Sequence, residues 1–281
     1  ISVGGSNPVR IMGILNLSPE SFYKKSIKTT KNEIISTVKK MEDDGADIID
    51  IGGMSTAPYL KTIISEKQES RRLIDAIKII QNISNIPISV DTCRSNVAKA
   101  VLEYGIDVIN DISGLKYDKK MIHVLQQYDP SVILCSYNKI ATTGGILETK
   151  KFLKQSISLT KTANISENKI VIDPAIGFFR KKGVGKFFSK INSDWALRDL
   201  EILHKLKYLR LNFPILISVS RKSFLGYILG ENDPEDRISG SLACEVLSVI
   251  NGADIIRTHN VQESKQVVTI AKKLTRTNKS L

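Results

Sequence analysis

Asn16, Asp50, Asp91, Asn110, Asp173, Lys222, Arg257 and His259 share one feature: each ends or closely follows a short, apolar, β-branched run. The runs lead into Asn16-Leu17-Ser18-Pro19, Asp50 with Gly52-Gly53, Asp91-Thr92, Asn110-Asp111, Asp173-Pro174, Ser220-Arg221-Lys222 and Arg257-Thr258-His259. Taken singly, an Asp or Asn after a strand often caps the next helix, and an Arg or Lys there is usually solvated. Taken together, they bring carboxylate and amide acceptors beside cations at one rim. Acceptors suit the amino groups and ring N–H of a planar heterocycle, and cations suit phosphoryl oxygens. No Ser-His-Asp or Cys-His arrangement marks an activated nucleophile.

One rim requires parallel elements. Eight runs read as strands: Arg10–Leu15, Asp47–Ile51, Ile86–Asp91, Asp107–Asn110, Ser131–Cys135, Lys169–Asp173, Pro214–Val219 and Asp254–Arg257. They are short and continuously apolar, as parallel strands covered by helices should be. Between and after them lie amphipathic stretches, predicted as helices over Lys31–Asp44, Glu66–Asn82, Ser95–Tyr104, Asp118–Gln127, Lys151–Ala163, Asp194–Tyr208, Asp236–Ile250 and Val261–Lys273. Eight alternating units in 281 residues predict a single-domain α/β fold, a (β/α)8 TIM barrel, whose site lies where strands end and βα loops begin. The segments after the seventh and eighth strands are where such barrels often hold phosphate, though no glycine-rich phosphate loop is present. Asn138–Thr149 and Phe179–Asn192 read as flexible loops, and residues 1–9 and 275–281 as flexible ends.

Composition narrows the partners. Hydrophobic residues make up 42% and charged residues 25%, as expected of a globular domain. No apolar run is long enough for a transmembrane helix, and Ile1–Asn7 lacks the pattern of a signal peptide, so neither membrane nor export is expected. The net charge is +12, but the lysines are scattered. They read as a solvated surface, and no nucleic-acid motif accompanies them. Cys93, Cys135 and Cys244 are far apart and suggest neither a zinc site nor disulfides; a cytoplasmic setting is expected.

The motifs, in order along the chain, resemble those of the dihydropteroate synthase family. They are Ile11-Met12-Gly13-Ile14-Leu15-Asn16-Leu17-Ser18-Pro19-Glu20-Ser21-Phe22, Asp50-Ile51-Gly52-Gly53 with Ser55-Thr56 and Pro58, Ser89-Val90-Asp91-Thr92, and Ile109-Asn110-Asp111-Ile112-Ser113-Gly114. Asp173-Pro174 with Ile176-Gly177-Phe178, Ser220-Arg221-Lys222-Ser223-Phe224-Leu225-Gly226, Gly240-Ser241-Leu242-Ala243 and Arg257-Thr258-His259-Asn260-Val261 follow. The resemblance implies a transferase that condenses 6-hydroxymethyl-7,8-dihydropterin diphosphate with an arylamine and releases diphosphate. It implies a pterin pocket of Asp91, Asn110, Asp173 and Lys222, and a diphosphate site of Asn16, Arg257 and His259. Mg²⁺ is implied on Asn16 and the substrate diphosphate. Asp91, Lys222 and Arg257 would be catalytic, and the habitual assembly is a homodimer.

The departures fall on the amine side, where Lys24, Ser55, Thr56, Pro58 and Ser223 are the candidate residues. Lys24 stands where the family usually has an acidic residue. Met54 and Ala57 replace the Glu and Arg that flank Ser-Thr, Cys135-Ser136 replaces a Met-His pair, and Phe179 replaces a Gly. Two amines are therefore considered: p-aminobenzoate in a folate pathway, or a ribosyl-phosphate arylamine of a methanopterin-type pathway, which Lys24 and Lys25 would suit. A methyl-pterin:corrinoid methyltransferase and a non-catalytic pterin-binding protein are the competing functions.

Overall fold

The computed structural model describes residues 1–21 and 23–277. Its strands are β1 (Arg10–Asn16), β2 (Ile48–Gly52), β3 (Ile88–Asp91), β4 (Val108–Asp111), β5 (Ser131–Cys135) and β6 (Ile170–Asp173), then the short β7 (Phe179–Arg180) and β8 (Ser189–Lys190), and β9 (Leu216–Ile217) and β10 (Ile255–Thr258). Eight of them pair in parallel in the order β6-β5-β4-β3-β2-β1-β10-β9, while β7 and β8 form a separate ladder. The two ends of the sheet meet where Ile172 N–H donates to the Pro214 carbonyl at 2.9 Å. This contact closes the (β/α)8 barrel.

Around it lie α1 (Lys31–Asp43), α2 (Glu66–Gln81), α3 (Ser95–Leu102), α4 (Met121–Tyr128), α5 (Ile146–Thr162), α6 (Trp195–His204), α7 (Ser223–Leu229), α8 (Ile238–Ile250) and α9 (Val261–Thr277). Helix starts follow capping chemistry. Thr30 and Glu33 form a reciprocal capping box on α1, and Ser65 and Asp194 cap α2 and α6. Ile34, Val38 and Met41, at helical spacing, bury one face of α1.

The strand period of two decides what the barrel encloses. Ile11, Leu15, Ile49, Ile51, Val90 and Ile109 face outward into the core shared with the helices. Met12, Ile48, Ile133, Val171, Leu216 and Ile255 form a separate inner layer, against which Val3 packs. Two residues further along these strands come Ile14, Asp50, Cys135, Asp173, Ser218 and Arg257. The alternation that fills the lower barrel with aliphatic side chains thus delivers polar ones to its upper interior.

All eight predicted strands exist; Ser131–Cys135 keeps its predicted bounds and the others have shifted ends. Pro214–Val219 shortens to Leu216–Ile217. Pro214 has no N–H for the ladder, yet its carbonyl makes the closing bond. α5 starts at Ile146, five residues before the predicted Lys151, because Glu148 accepts from Gly144 N at 2.7 Å and orders that turn. α7 is an element the periodicity does not predict; it stops at Gly230, whose φ of +76° suits glycine. The segment Phe179–Asn192, predicted as a flexible loop, carries β7 and β8, with Phe179, Phe187 and Ile191 buried beside Met54, Cys135 and Phe152. The part of the predicted loose C-terminus beyond Thr277 lies outside the described residues, as does Phe22 in the first motif. Among the described residues no helix is long and apolar enough to cross a membrane.

Candidate active site

The floor of the cavity is an ion-pair cluster spanning the barrel. Arg257 on β10 donates through Nε to Asp50 Oδ2 on β2 at 2.6 Å, and through Nη2 to Asp91 Oδ2 on β3 at 3.2 Å. Asn110 on β4 reaches the same Asp50 oxygen through Nδ2 at 3.3 Å. Asp50 is fully buried. Asp50 Oδ1, Asp91 Oδ1 and Ser218 Oγ have no hydrogen-bond partner among the described residues; buried polar atoms of that kind are ready for ligand groups. Burial, with repulsion from Asp50 and Glu69, pushes Asp91 up to about 7, against the pull of Arg257 and Lys222. Asp173 Oδ1 accepts from Ala175 N at 2.6 Å, and burial raises this carboxyl too.

Lys222 is delivered by backbone strain. Arg221 before it holds φ +56°, a left-handed conformation for a non-glycine residue. It is fixed there by Ser241 Oγ on its N–H at 2.8 Å, by Nε donating to Asn260 Oδ1 at 3.1 Å, and by the Pro234 and Glu235 carbonyls. Lys222 then lies with Nζ 4.1 Å from the Phe178 ring centre. Gly177 makes room for it: its φ is +82°, and a Cβ there would meet Lys222 Cδ at 3.0 Å. Burial, and then Arg257, push the ammonium down to about 8.

His259 contacts Ser220 Oγ through Nδ1 at 2.9 Å and stands edge-on to Tyr23, 5.1 Å between ring centres. Burial and the nearby Arg257, Arg221 and Lys222 push it well below the ordinary histidine range, which favours neutral imidazole. The same Ser220 hydroxyl also accepts the His259 backbone N–H at 3.2 Å, which makes the pair a ring-orienting contact. Asn16 donates through Nδ2 to Ser26 Oγ at 2.7 Å, leaving Oδ1 on the side of Gly52. Burial pushes the Cys93 and Cys135 thiols upward, away from nucleophilic thiolates.

On the amine side, Ser55, Thr56, Pro58, Phe178 and Ser223 line the same cavity as Asn16, Asp91, Lys222, Arg257 and His259. The Pro58 carbonyl accepts from Val184 N at 2.9 Å and Gly185 N at 3.0 Å, so the loop after β2 is tied to the β7–β8 segment. The departures have structural explanations here. Met54 and Phe179 are core residues above β5, and the Arg198 guanidinium lies 3.7 Å over the Phe179 ring centre. Glu20 is bound by Ser18 Oγ at 2.6 Å and by Arg72 at 3.1 and 3.2 Å; against partial burial, these partners hold it down to about 2.

Of the residues picked from sequence, Asn16, Ser55, Thr56, Pro58, Asp91, Lys222, Ser223, Arg257 and His259 line one cavity. Asn110 and Asp173 are buried and do not line it; Asn110 connects to it through Asp50 and Arg257, and Asp173 through the charge of Lys222. Lys24 does not line it. Its Nζ donates to the Pro19 carbonyl at 3.0 Å, and it borders a neighbouring depression with Glu20, Tyr59 and Ser223. Lys25 pairs with Glu235 at 3.2 Å. Two contributors have no role assigned from sequence, although Asp50 stands there among the strand-end carboxylates. Asp50 is visible as a strand residue, and its alternation with Ile48 and Gly52 places it inward. Arg180 sits in the segment read as a loop.

The pterin-binding enzyme family matches residues 12–259. A dihydropteroate synthase of Clostridium beijerinckii is 36% identical over 260 residues, covering 91% of this chain and 90% of that protein. The solved dihydropteroate synthase of Coxiella burnetii in complex with pteroic acid superposes with a TM-score of 0.84 at 33% identity, covering 98% of both chains. That of Xanthomonas albilineans with 4-aminobenzoic acid gives a TM-score of 0.82 at 28% identity, over 95% and 93% of the two chains. The chain belongs to the pterin-binding enzyme family and, within it, is a transferase of the dihydropteroate synthase type, acting in folate biosynthesis.

Proposed function

We propose that this chain joins 6-hydroxymethyl-7,8-dihydropterin diphosphate to 4-aminobenzoate and releases diphosphate. One observation carries the reading: a single cavity brings Asn16 and Asp91 together with Lys222, Arg257 and His259, over a buried cluster in which Arg257 and Asn110 both donate to Asp50. Asn110 and Asp173 would accept from the aminopyrimidine edge, and Lys222 would donate to the carbonyl and ring-nitrogen side. Asn16, Arg257 and His259 would hold the diphosphate. As the C–O bond to diphosphate breaks, positive charge develops on the pterin methylene and spreads into the ring. Ionised Asp91 opposes that charge, while Arg257 and a hydrogen bond from neutral His259 meet the departing oxygens, each placed before the charge appears. The amine nitrogen then bonds to the methylene carbon and loses a proton to solvent.

Mg²⁺ fits this site through the substrate. Among the described residues no group of three His, Cys, Asp or Glu side chains could hold a metal ion. Asn16 Oδ1 would be the protein contact and the diphosphate would supply the other oxygens, as is usual for Mg²⁺. When bound, the ion neutralises phosphoryl charge.

The contacts of Lys24 and Lys25 favour the smaller amine. A ribosyl-phosphate arylamine would need them for its phosphate, and both are engaged elsewhere. The Xanthomonas albilineans complex with 4-aminobenzoic acid supports the smaller amine. Exposed Tyr227, Ile228 and Leu229 on α7, with Leu247 and Ile250 on α8, offer the apolar face that a homodimer would cover.

Diphosphate release measured with each amine tests the reading. Release should depend on 4-aminobenzoate; release supported only by the ribosyl-phosphate arylamine would overturn the choice of amine.

A further inference from the structure

Arg180 is a buried cation that pairs with no carboxylate among the described residues. It is 7% exposed and lines the cavity beside Ser223, Pro58 and Phe178. Its Nε donates to the Gly177 carbonyl at 3.1 Å, and Nη2 donates to Ser223 Oγ. The guanidinium lies 3.7 Å from the Trp195 ring centre and 5.9 Å from that of Tyr59. Of its five N–H donors, those on Nη1 meet no acceptor among the described residues, and none of those residues brings a carboxylate within ion-pair distance of it. Asp199, the nearest acidic influence, is already bound to Arg198 at 2.9 Å and to Gly177 N at 2.9 Å.

An unpaired buried charge is costly unless something supplies the opposite sign. The other cavity cations have their tasks: Arg257 is held by Asp50 and Asp91, and Lys222 stands on the Phe178 side near Asp173. Position 57 is Ala and position 54 is Met, so the loop after β2 brings no charge of its own. Loop and ladder are joined at Pro58, and Arg180 lines the cavity together with Thr56, Pro58 and Ser223.

We propose that Arg180, with Ser223, receives the carboxylate of the arylamine and so determines that the acceptor must be anionic. The proposal rests on the synthase reading above. Arg180 binds substrate at a point remote from the reacting carbon; its contribution is to select and position the amine. A guanidinium with free N–H groups in one plane suits a carboxylate held by two parallel bonds.

The test compares 4-aminobenzoate with 4-aminobenzamide, its neutral isostere, at saturating pterin diphosphate. The unaltered protein should show a KM at least about tenfold lower for the acid, about 1.4 kcal/mol of discrimination. Arg180→Met should raise the KM for 4-aminobenzoate about tenfold or more, leave that for 4-aminobenzamide within about twofold, and leave the KM for pterin diphosphate unchanged. Arg180→Lys should recover part of the loss. Equal losses for both amines would make Arg180 a purely structural residue and overturn the proposal. If the variants fail to fold, the unaltered protein still decides, because equal KM values for acid and amide refute it. Absence of condensed product from the unaltered protein with either amine would instead overturn the synthase reading, and this assignment with it.

Discussion

Replacing Asp50 by Asn removes one charge from the floor and changes almost no volume. Asp50 Oδ2 takes both the Nε and Nη2 contacts of Arg257 at 2.6 Å. Hydrogen bonds to charged groups contribute about 1.5–3 kcal/mol each. An amide oxygen still accepts, so only part of each is lost, and a total of about 2–3 kcal/mol follows for holding Arg257 in place. If that loss falls on the departing diphosphate, kcat/KM for pterin diphosphate drops roughly 30- to 150-fold, at about 1.36 kcal/mol per tenfold. A second effect has a definite sign. Asp91 is pushed up to about 7 by burial, and Asp50 adds to that push. Deleting a neighbouring negative charge favours the ionised form and lowers the pKa. The acid limb of the pH–rate profile should therefore move to lower pH in Asp50→Asn. The assay is diphosphate release over pH 5.5–9 for both proteins. An acid limb that stays in place, with kcat/KM within about threefold of the unaltered protein, would refute the role given to the Asp50–Arg257–Asp91 cluster.

Gly177→Ala should force a left-handed backbone on a residue with a Cβ and press that Cβ against Lys222; a destabilisation of about 1–3 kcal/mol with weaker pterin binding is expected, read by denaturant melts and calorimetry. Asp173→Ala should weaken pterin itself, whereas Arg257→Ala should weaken the diphosphate substrate far more than unphosphorylated pterin; equal losses for both ligands in Arg257→Ala would contradict its assignment. Glu245 on α8 is fully buried, and burial pushes it up to about 7 against the pull of the Ser264 and Thr258 hydroxyls. A raised folded-state pKa favours folding below the unfolded value of 4.5, and that advantage is lost as pH rises to about 7. Glu245→Gln should therefore gain stability relative to the unaltered protein by about 2 kcal/mol between pH 5.5 and pH 8; a Tm difference independent of pH would contradict this.

The barrel was readable because its strands are buried on both sides and appear as unbroken aliphatic runs. The site residues were readable because a strand end that carries Asp, Asn or Arg interrupts such a run. What pairs with what was not readable: Asp50 and Arg257 stand 207 residues apart in sequence, and only barrel closure brings them together. Arg180 was hidden for a related reason. Its segment lacks the length and alternation of a strand, and its order comes from Phe179, Phe187 and Ile191 packing against residues of distant motifs. Lys24 shows the opposite limit. Its charge is plain in the sequence, but the carbonyl of Pro19 turns it away from the cavity.

The most direct measurement is the mass of what forms when the protein is given pterin diphosphate, Mg²⁺ and 4-aminobenzoate together. 7,8-Dihydropteroate and diphosphate should form in a one-to-one ratio. Diphosphate formed without a condensed product, or a condensed product carrying any other amine in preference, would contradict the proposed reaction.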